Sequence, residues 1–150
     1  MKIAYCNHVI SLIPVLEEWR KESNGNEFGI IPSVEKTASH LQSMIENQNC
    51  KVLIMFGDDG KAVGFMGIAI TNNPVADGKI ASEHLWYVIP SCRGKGLSLL
   101  RAGRIWAKEN GCTHFMTTVS RVASKLHDST CSIYERMGMK QIETTFICSL

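Results

Sequence analysis

Residues 88–98, Val-Ile-Pro-Ser-Cys-Arg-Gly-Lys-Gly-Leu-Ser, limit what this chain can fold into more than any other stretch. A strand-like run precedes them and an amphipathic helical run follows. A strand that passes through a Gly-x-Gly turn into a helix can present backbone N–H groups and the positive end of the helix dipole to an anion. Gly94 and Gly96 would let the backbone approach a diphosphate closely, and Arg93 and Lys95 add charge at the rim. The spacing is neither that of a Walker A loop nor the Gly-x-Gly-x-x-Gly of dinucleotide folds. A plain glycine-rich turn is the alternative reading of the same residues.

The flanking pattern alternates strands with helices. Residues 51–56 and 62–71 read as a hairpin around Gly57-Asp58-Asp59-Gly60-Lys61. A third strand over 80–89, with Leu85, Trp86, Tyr87 and Val88, suits burial on both faces. After the turn, Leu99, Leu100, Gly103, Trp106 and Ala107 recur at helical spacing, and Asn110-Gly111 supplies a left-handed stop. Further elements are a strand over 113–119, a short helix over 129–137 ended by Gly138, and a last strand over 140–147. At the other end, 9–20 and 34–47 read as helices, the second started by Ser33. The polar stretch 21–29 between them is either a lid, with Glu22, Glu27 and Phe28 facing an acceptor, or a solvated connection.

Composition fits one globular domain over 1–150, with 45% apolar and 20% charged residues and no linker or repeat to divide it. A net charge of +2 does not argue for nucleic acid, and Arg93, Lys95, Arg101 and Arg104 are expected to crowd around the turn. The apolar run 9–16 is too short to span a membrane and reads as a helix start, so a cytoplasmic protein is expected. Cys6, Cys50, Cys92, Cys112, Cys131 and Cys148 show neither metal-site nor disulfide-framework spacing, and the histidines show no ligand spacing. No metal is expected. Cys92, beside Arg93 near a helix start, is either a nucleophile or simply a small loop residue.

With Arg93-x-x-Gly96-x-Ser98 following Val88, the chain resembles the GNAT superfamily of N-acetyltransferases, and in size the small members from bacteria and phages. Ser98 departs from the family's Gly or Ala. The resemblance covers roughly residues 51–150. It implies a mixed α/β acyl-CoA N-acyltransferase fold with a central twisted mixed sheet flanked by helices, and direct transfer of an acetyl group from acetyl-CoA to a primary amine. The alternative is a non-catalytic acyl-CoA-binding or interaction domain.

By the same resemblance, Trp86 and Val88 pair through their backbones with the pantetheine arm, while Arg93, Gly94, Lys95, Gly96, Leu97 and Ser98 hold the pyrophosphate. Tyr134, in Tyr-Glu-Arg-Met-Gly-Met, matches the family's Tyr-x-x-x-Gly-Phe segment, in which the phenol protonates the departing thiolate. Met139 replaces the usual aromatic, and His127 stands where the family often has a cofactor-contacting Asn. Glu83 is the candidate general base. A two-residue period puts it on one face with Leu85 and Tyr87, where partial enclosure would raise its pKa. A solvated glutamate at a strand entry is the alternative, and His84, on the opposite face, is the second candidate base. The acceptor is any small-molecule or protein amine, aminoacyl-tRNA included. The resemblance also implies pairing of copies into a homodimer through terminal strands, for which residues 144–148 are apolar enough.

Overall fold

The computed structural model describes all 150 residues. Its contacts gather into two compact units, Met1–Trp19 with Val34–Thr118, and Arg20–Ser33 with Val119–Leu150. The first unit contains a five-stranded sheet in chain order: β1 (Lys2–Tyr5), β2 (Cys50–Phe56), β3 (Ala62–Asn72), β4 (Lys79–Val88) and β5 (Cys112–Met116). The first four strands pair antiparallel and β5 lies parallel to β4, so a helical crossover must join that last pair. Strand β1 has no counterpart in the sequence reading, which began the sheet at residue 51.

β2 and β3 are buried in continuous runs, residues 52–55 and 63–69, so both of their faces are covered. Val52, Ile54 and Phe65 join Leu12, Val15, Leu16, Leu41 and Met44 in one core cluster beneath α1 (Ile13–Glu22) and α2 (Val34–Glu46). Met66 and Ile68 face the other way, toward α3 (Leu97–Glu109). Gly103 permits that approach, because a Cβ there would come within 2.6 Å of Ile68 Cδ1. All five residues picked out by helical spacing on α3 are buried. The result is a mixed α/β fold with helices on both faces of a mixed sheet.

Entry to α1 goes through a 3₁₀ turn, Val9–Leu12, whose cap His8 accepts the Ile10 N–H on Nδ1. Pro14 then falls in the first turn of α1, where its missing N–H breaks no intrahelical bond. In the second unit, the stretch read as a lid or connection is a 3₁₀ turn, Gly25–Phe28, and Glu27 accepts a hydrogen bond from Asn24. Helix α4 runs His127–Arg136 and ends in a left-handed Gly138 at φ 79°. There Gly138 N–H donates to Glu135 O and Met139 N–H to Tyr134 O, at 2.9 and 3.1 Å.

Two expectations are corrected. Strand β4 is not buried on both faces: Ala81, Glu83 and Val88 are buried, and His84 is exposed. The strand that does fit that description is β3. The last strand over 140–147 does not form, and every residue from 140 to 150 is exposed outside helix or strand. Alternation supplies only a sidedness, whereas a strand exists through the ladder bonds of a neighbour.

Candidate functional site

The register of β4 changes at His84. Leu85 stands opposite Gly67 and Glu83 opposite Ile68, so His84 is an extra residue in β4, a β-bulge. Directly opposed residues share a face of the sheet. Glu83 therefore shares its face with Trp86 and Val88, the partners of Met66 and Gly64, and not with Leu85 and Tyr87 as an unbroken two-residue period predicts. Leu85 and Tyr87 pack on the core under α1 and α2, and the His84 ring stacks on His40 of α2 with centroids 6.1 Å apart. Burial and the charge of His40 hold the His84 pKa below its usual value.

Beyond the bulge the two parallel strands separate. Pairing between β4 and β5 ends at Ser82 opposite Met116, while β4 continues for six more residues to Val88. Where they part, Glu83 Oε2 accepts the Thr118 N–H at 3.1 Å and the Thr117 hydroxyl at 3.0 Å. The side chain of Glu83 thus takes a backbone N–H just past the end of β5. At 8% exposure, burial pushes its pKa up, and the bonds from Thr118 and Thr117 pull against that rise. The upward shift anticipated from enclosure is present, with Glu83 enclosed on the opposite face of the sheet from the one expected. Sequence alone did not suggest the two threonines, 34 and 35 residues away. The adjacent polar pair Glu83-His84 within an apolar strand is the trace of the bulge in the sequence.

At the end of β4 the chain turns through a 3₁₀ segment, Pro90–Lys95, directly into α3. Gly96, at φ −59° and ψ −29°, is right-handed, and its N–H donates to Arg93 O at 3.0 Å. Its N–H is therefore spent within the turn and does not point into a free concavity. Space there is tight: a Cβ would lie 3.2 Å from Val88 Cγ2 and 3.5 Å from Trp86 Cζ2. Gly94 opens to solvent, with nothing within 4 Å of a Cβ. Ser98 donates its hydroxyl to Lys95 O at 2.7 Å, and no side chain caps the start of α3. Arg93 and Lys95 are exposed around this turn, with Leu97 half-buried behind them.

Arg101 and Arg104 do not crowd the turn. They line a separate open groove of about 620 Å³ between α3 and β5, with Lys108, Thr113 and His114. A second groove, of about 710 Å³, lies between the start of the chain and α2 and includes Glu17, Glu35 and Glu46. Neither groove is lined by a residue of the 88–98 turn. The structure thus brings Glu83, Trp86, Val88 and Gly96 to one face of the first unit. Tyr134 belongs to the second unit, where it is buried on α4, and its four-residue spacing to Gly138 is the spacing of the helix end. The Cys92 thiol has Ser91 Oγ at 3.8 Å as its contact, and no imidazole lies within reach of it.

Comparison with known proteins agrees with this architecture. A stretch of 70 residues is 41% identical to an aminoglycoside N(6′)-acetyltransferase type 1 of Klebsiella aerogenes, covering 43% of this chain and 45% of that protein, less than half of either. An aminoglycoside antibiotic 6′-N-acetyltransferase from Acinetobacter haemolyticus superposes with a TM-score of 0.69 at 18% identity, over 100% of this chain and 98% of the other. A protein described as a transcriptional regulator from Bacillus halodurans reaches a TM-score of 0.78 at 15% identity, over 99% of each chain. At such identities the superpositions establish the fold alone. The acetyltransferase (GNAT) family profile matches residues 13–139, most of the chain, and on that match this chain belongs to the GNAT acetyltransferase family.

Proposed function

We propose that this protein transfers the acetyl group of acetyl-CoA to a primary amine by direct attack. The observation that carries the reading is the parting of β4 from β5 after Ser82: along the edge of β4 from Glu83 to Val88 the ladder to β5 has ended, and the strand leads through the turn into the start of α3. An extended chain of amides such as pantetheine can add to such an edge. The backbones of Trp86 and Val88 are the proposed partners. The diphosphate would then meet Arg93, Gly94, Lys95, Gly96, Leu97 and Ser98, and the open side of Gly94 and the uncapped first turn of α3 support that assignment. The family match runs through both compact units, which supports reading residues 1–150 as one acetyltransferase domain.

Glu83 is the proposed base. Its Oε2 accepts from Thr117 and Thr118, which fixes the carboxylate while Oε1 keeps its lone pairs for the proton of an incoming ammonium. A raised pKa brings a carboxylate closer to the range in which it can accept that proton and later release it. The amine nitrogen attacks the thioester carbonyl, the C–S bond breaks, Tyr134 is proposed to give its phenolic proton to the departing thiolate, and the proton shed by the new amide nitrogen returns to the phenolate through solvent. The acceptor class to which this reading commits is an amino sugar, on the strength of the Klebsiella relative.

The test is thiol release from acetyl-CoA in the presence of an aminoglycoside, a polyamine, an amino acid and an amino-terminal peptide. Turnover that is fastest with the aminoglycoside is the expected result, and turnover confined to another amine would overturn the acceptor assignment. A second reading, an acyl-CoA-binding protein without turnover, uses the same edge of β4 and the same turn. Binding of acetyl-CoA with no thiol release from any acceptor would establish it.

A further inference from the structure

The groove between α3 and β5 is basic and has no answering acid. Arg101, Arg104 and Lys108 follow one another at three- and four-residue spacing on one exposed face of α3, and no Asp or Glu lines the groove. No ion pair within the chain takes up any of the three, although the chain has 14 acidic residues. Lys79 adds charge at the same end: burial raises the Cys112 thiol, and Lys79, its partner across the sheet, pulls against that rise. Like charges at these spacings weaken a helix, so the row is kept at a cost to α3.

The other wall of the groove is a strand edge. β5 pairs with β4 and is the last strand of the sheet. His114 and Phe115 stand opposite Ile80 and Ala81, so their side chains point to opposite faces, yet both residues line the groove. A groove that meets both runs along the outer edge of the strand, where backbone groups can receive an added chain. Ile105, 60% exposed, lies in the same groove among the charges.

We propose that this groove docks an extended acidic segment of a partner protein, laid along β5 with a carboxylate at every second residue turned toward α3. An extended chain repeats a face every ~6.6 Å, while the helical rise separates Arg101 from Arg104 by ~4.5 Å and Arg104 from Lys108 by ~6 Å. The long basic side chains absorb the difference, and the methylenes of glutamate cover Ile105. A nucleic acid fits less well, because the net charge is only +2 and the phenyl ring of the groove, Phe115, is half-buried against Gly103 and offers no platform for a base. The chain's own exposed residues 140–150 carry a single carboxylate side chain, Glu143, close to Lys140, and so do not supply such a row.

The test is fluorescence anisotropy of a labelled peptide of alternating glutamate and valine, titrated with the full chain. The peptide should bind, and its affinity should fall at least about tenfold between about 0.05 and about 0.5 M salt. Arg104→Glu should weaken binding about tenfold, whereas Lys95→Glu, the same change of charge at the turn after β4, should leave it unchanged. Arg104→Glu sets a glutamate four residues before Lys108, so its melting temperature should be no lower than the parent's. Arg101→Gln combined with Lys108→Gln should weaken binding in the same direction. Amides of β5 should gain protection from hydrogen exchange when the peptide is added. Absence of binding, equal binding of a peptide of glutamine and valine, affinity unchanged in both groove variants, or unprotected β5 amides would overturn the proposal. Tighter binding of a single-stranded oligonucleotide through Arg104 would also overturn it and assign the groove to nucleic acid. The readout needs neither acetyl-CoA nor an acceptor amine, so it stands apart from the test of acetyl transfer.

Discussion

Glu83 combines two demands that pull in opposite directions. Burial raises its pKa above the usual carboxylate range, so the folded chain holds this proton more tightly than the unfolded chain does. Stability from that group is fully present below the unfolded pKa and is lost as pH rises through the folded one. Glu83→Gln keeps an oxygen for Thr117 and Thr118 and carries no charge to bury. Its melting temperature should match that of the parent at about pH 4 and exceed it increasingly toward neutrality. A Gln variant less stable than the parent at neutral pH would show that the threonine bonds outweigh the burial of the charge. The same substitution should remove acetyl transfer if Glu83 is the base. Tyr134→Phe isolates the proposed proton donor, since Phe keeps the ring and loses only the hydroxyl. Its kcat should fall by roughly ten- to ten-thousandfold with acetyl-CoA affinity kept, and single-turnover measurement keeps slow product release from hiding the effect.

At the scale of elements, the site depends on how closely α3 packs on the sheet. Gly103→Ala would bring a methyl within 2.6 Å of Ile68 Cδ1 and 3.2 Å of Met66 Sδ. Overpacking of this kind costs about 1–3 kcal/mol, against about 0.5–1 kcal/mol gained by replacing a helical glycine with alanine. A net loss is therefore expected in urea denaturation. Ile68→Val deletes the obstructing methyl, so the double variant should recover more than the sum of the single changes predicts. Simple additivity would mean that α3 moves away instead. The helix was legible from its spacing because its buried residues repeat within a few turns of local chain. The bulge at His84 was not, because it is defined by the register against Gly67 and Ile68 on β3.

For the whole molecule, the proposed reading makes stability depend on ligand. Acetyl-CoA that binds only the folded chain adds about 2.7 kcal/mol at a hundredfold excess over Kd, which should appear as a clear rise in melting temperature. Gly96→Val should abolish the shift, because its side chain would press on Val88 and Trp86 at the proposed cofactor edge. An equal shift from AMP or inorganic phosphate would reduce the turn to a general anion site.

The sequence by itself determined the features that local chemistry sets. These are the glycine-bearing turn after Val88, the buried stripe of α3, and the helix end that places Gly138 four residues after Tyr134. Each is written in neighbouring residues, since helix periodicity and left-handed stops act over one or two turns. Tertiary structure alone decided which face Glu83 occupies, which threonines hold it, where β4 and β5 part, and that residues 140–147 form no strand. All four depend on hydrogen bonds made or not made between residues far apart in the chain. An alternating pattern fixes which residues could face a core, and only a partner strand fixes which of them do.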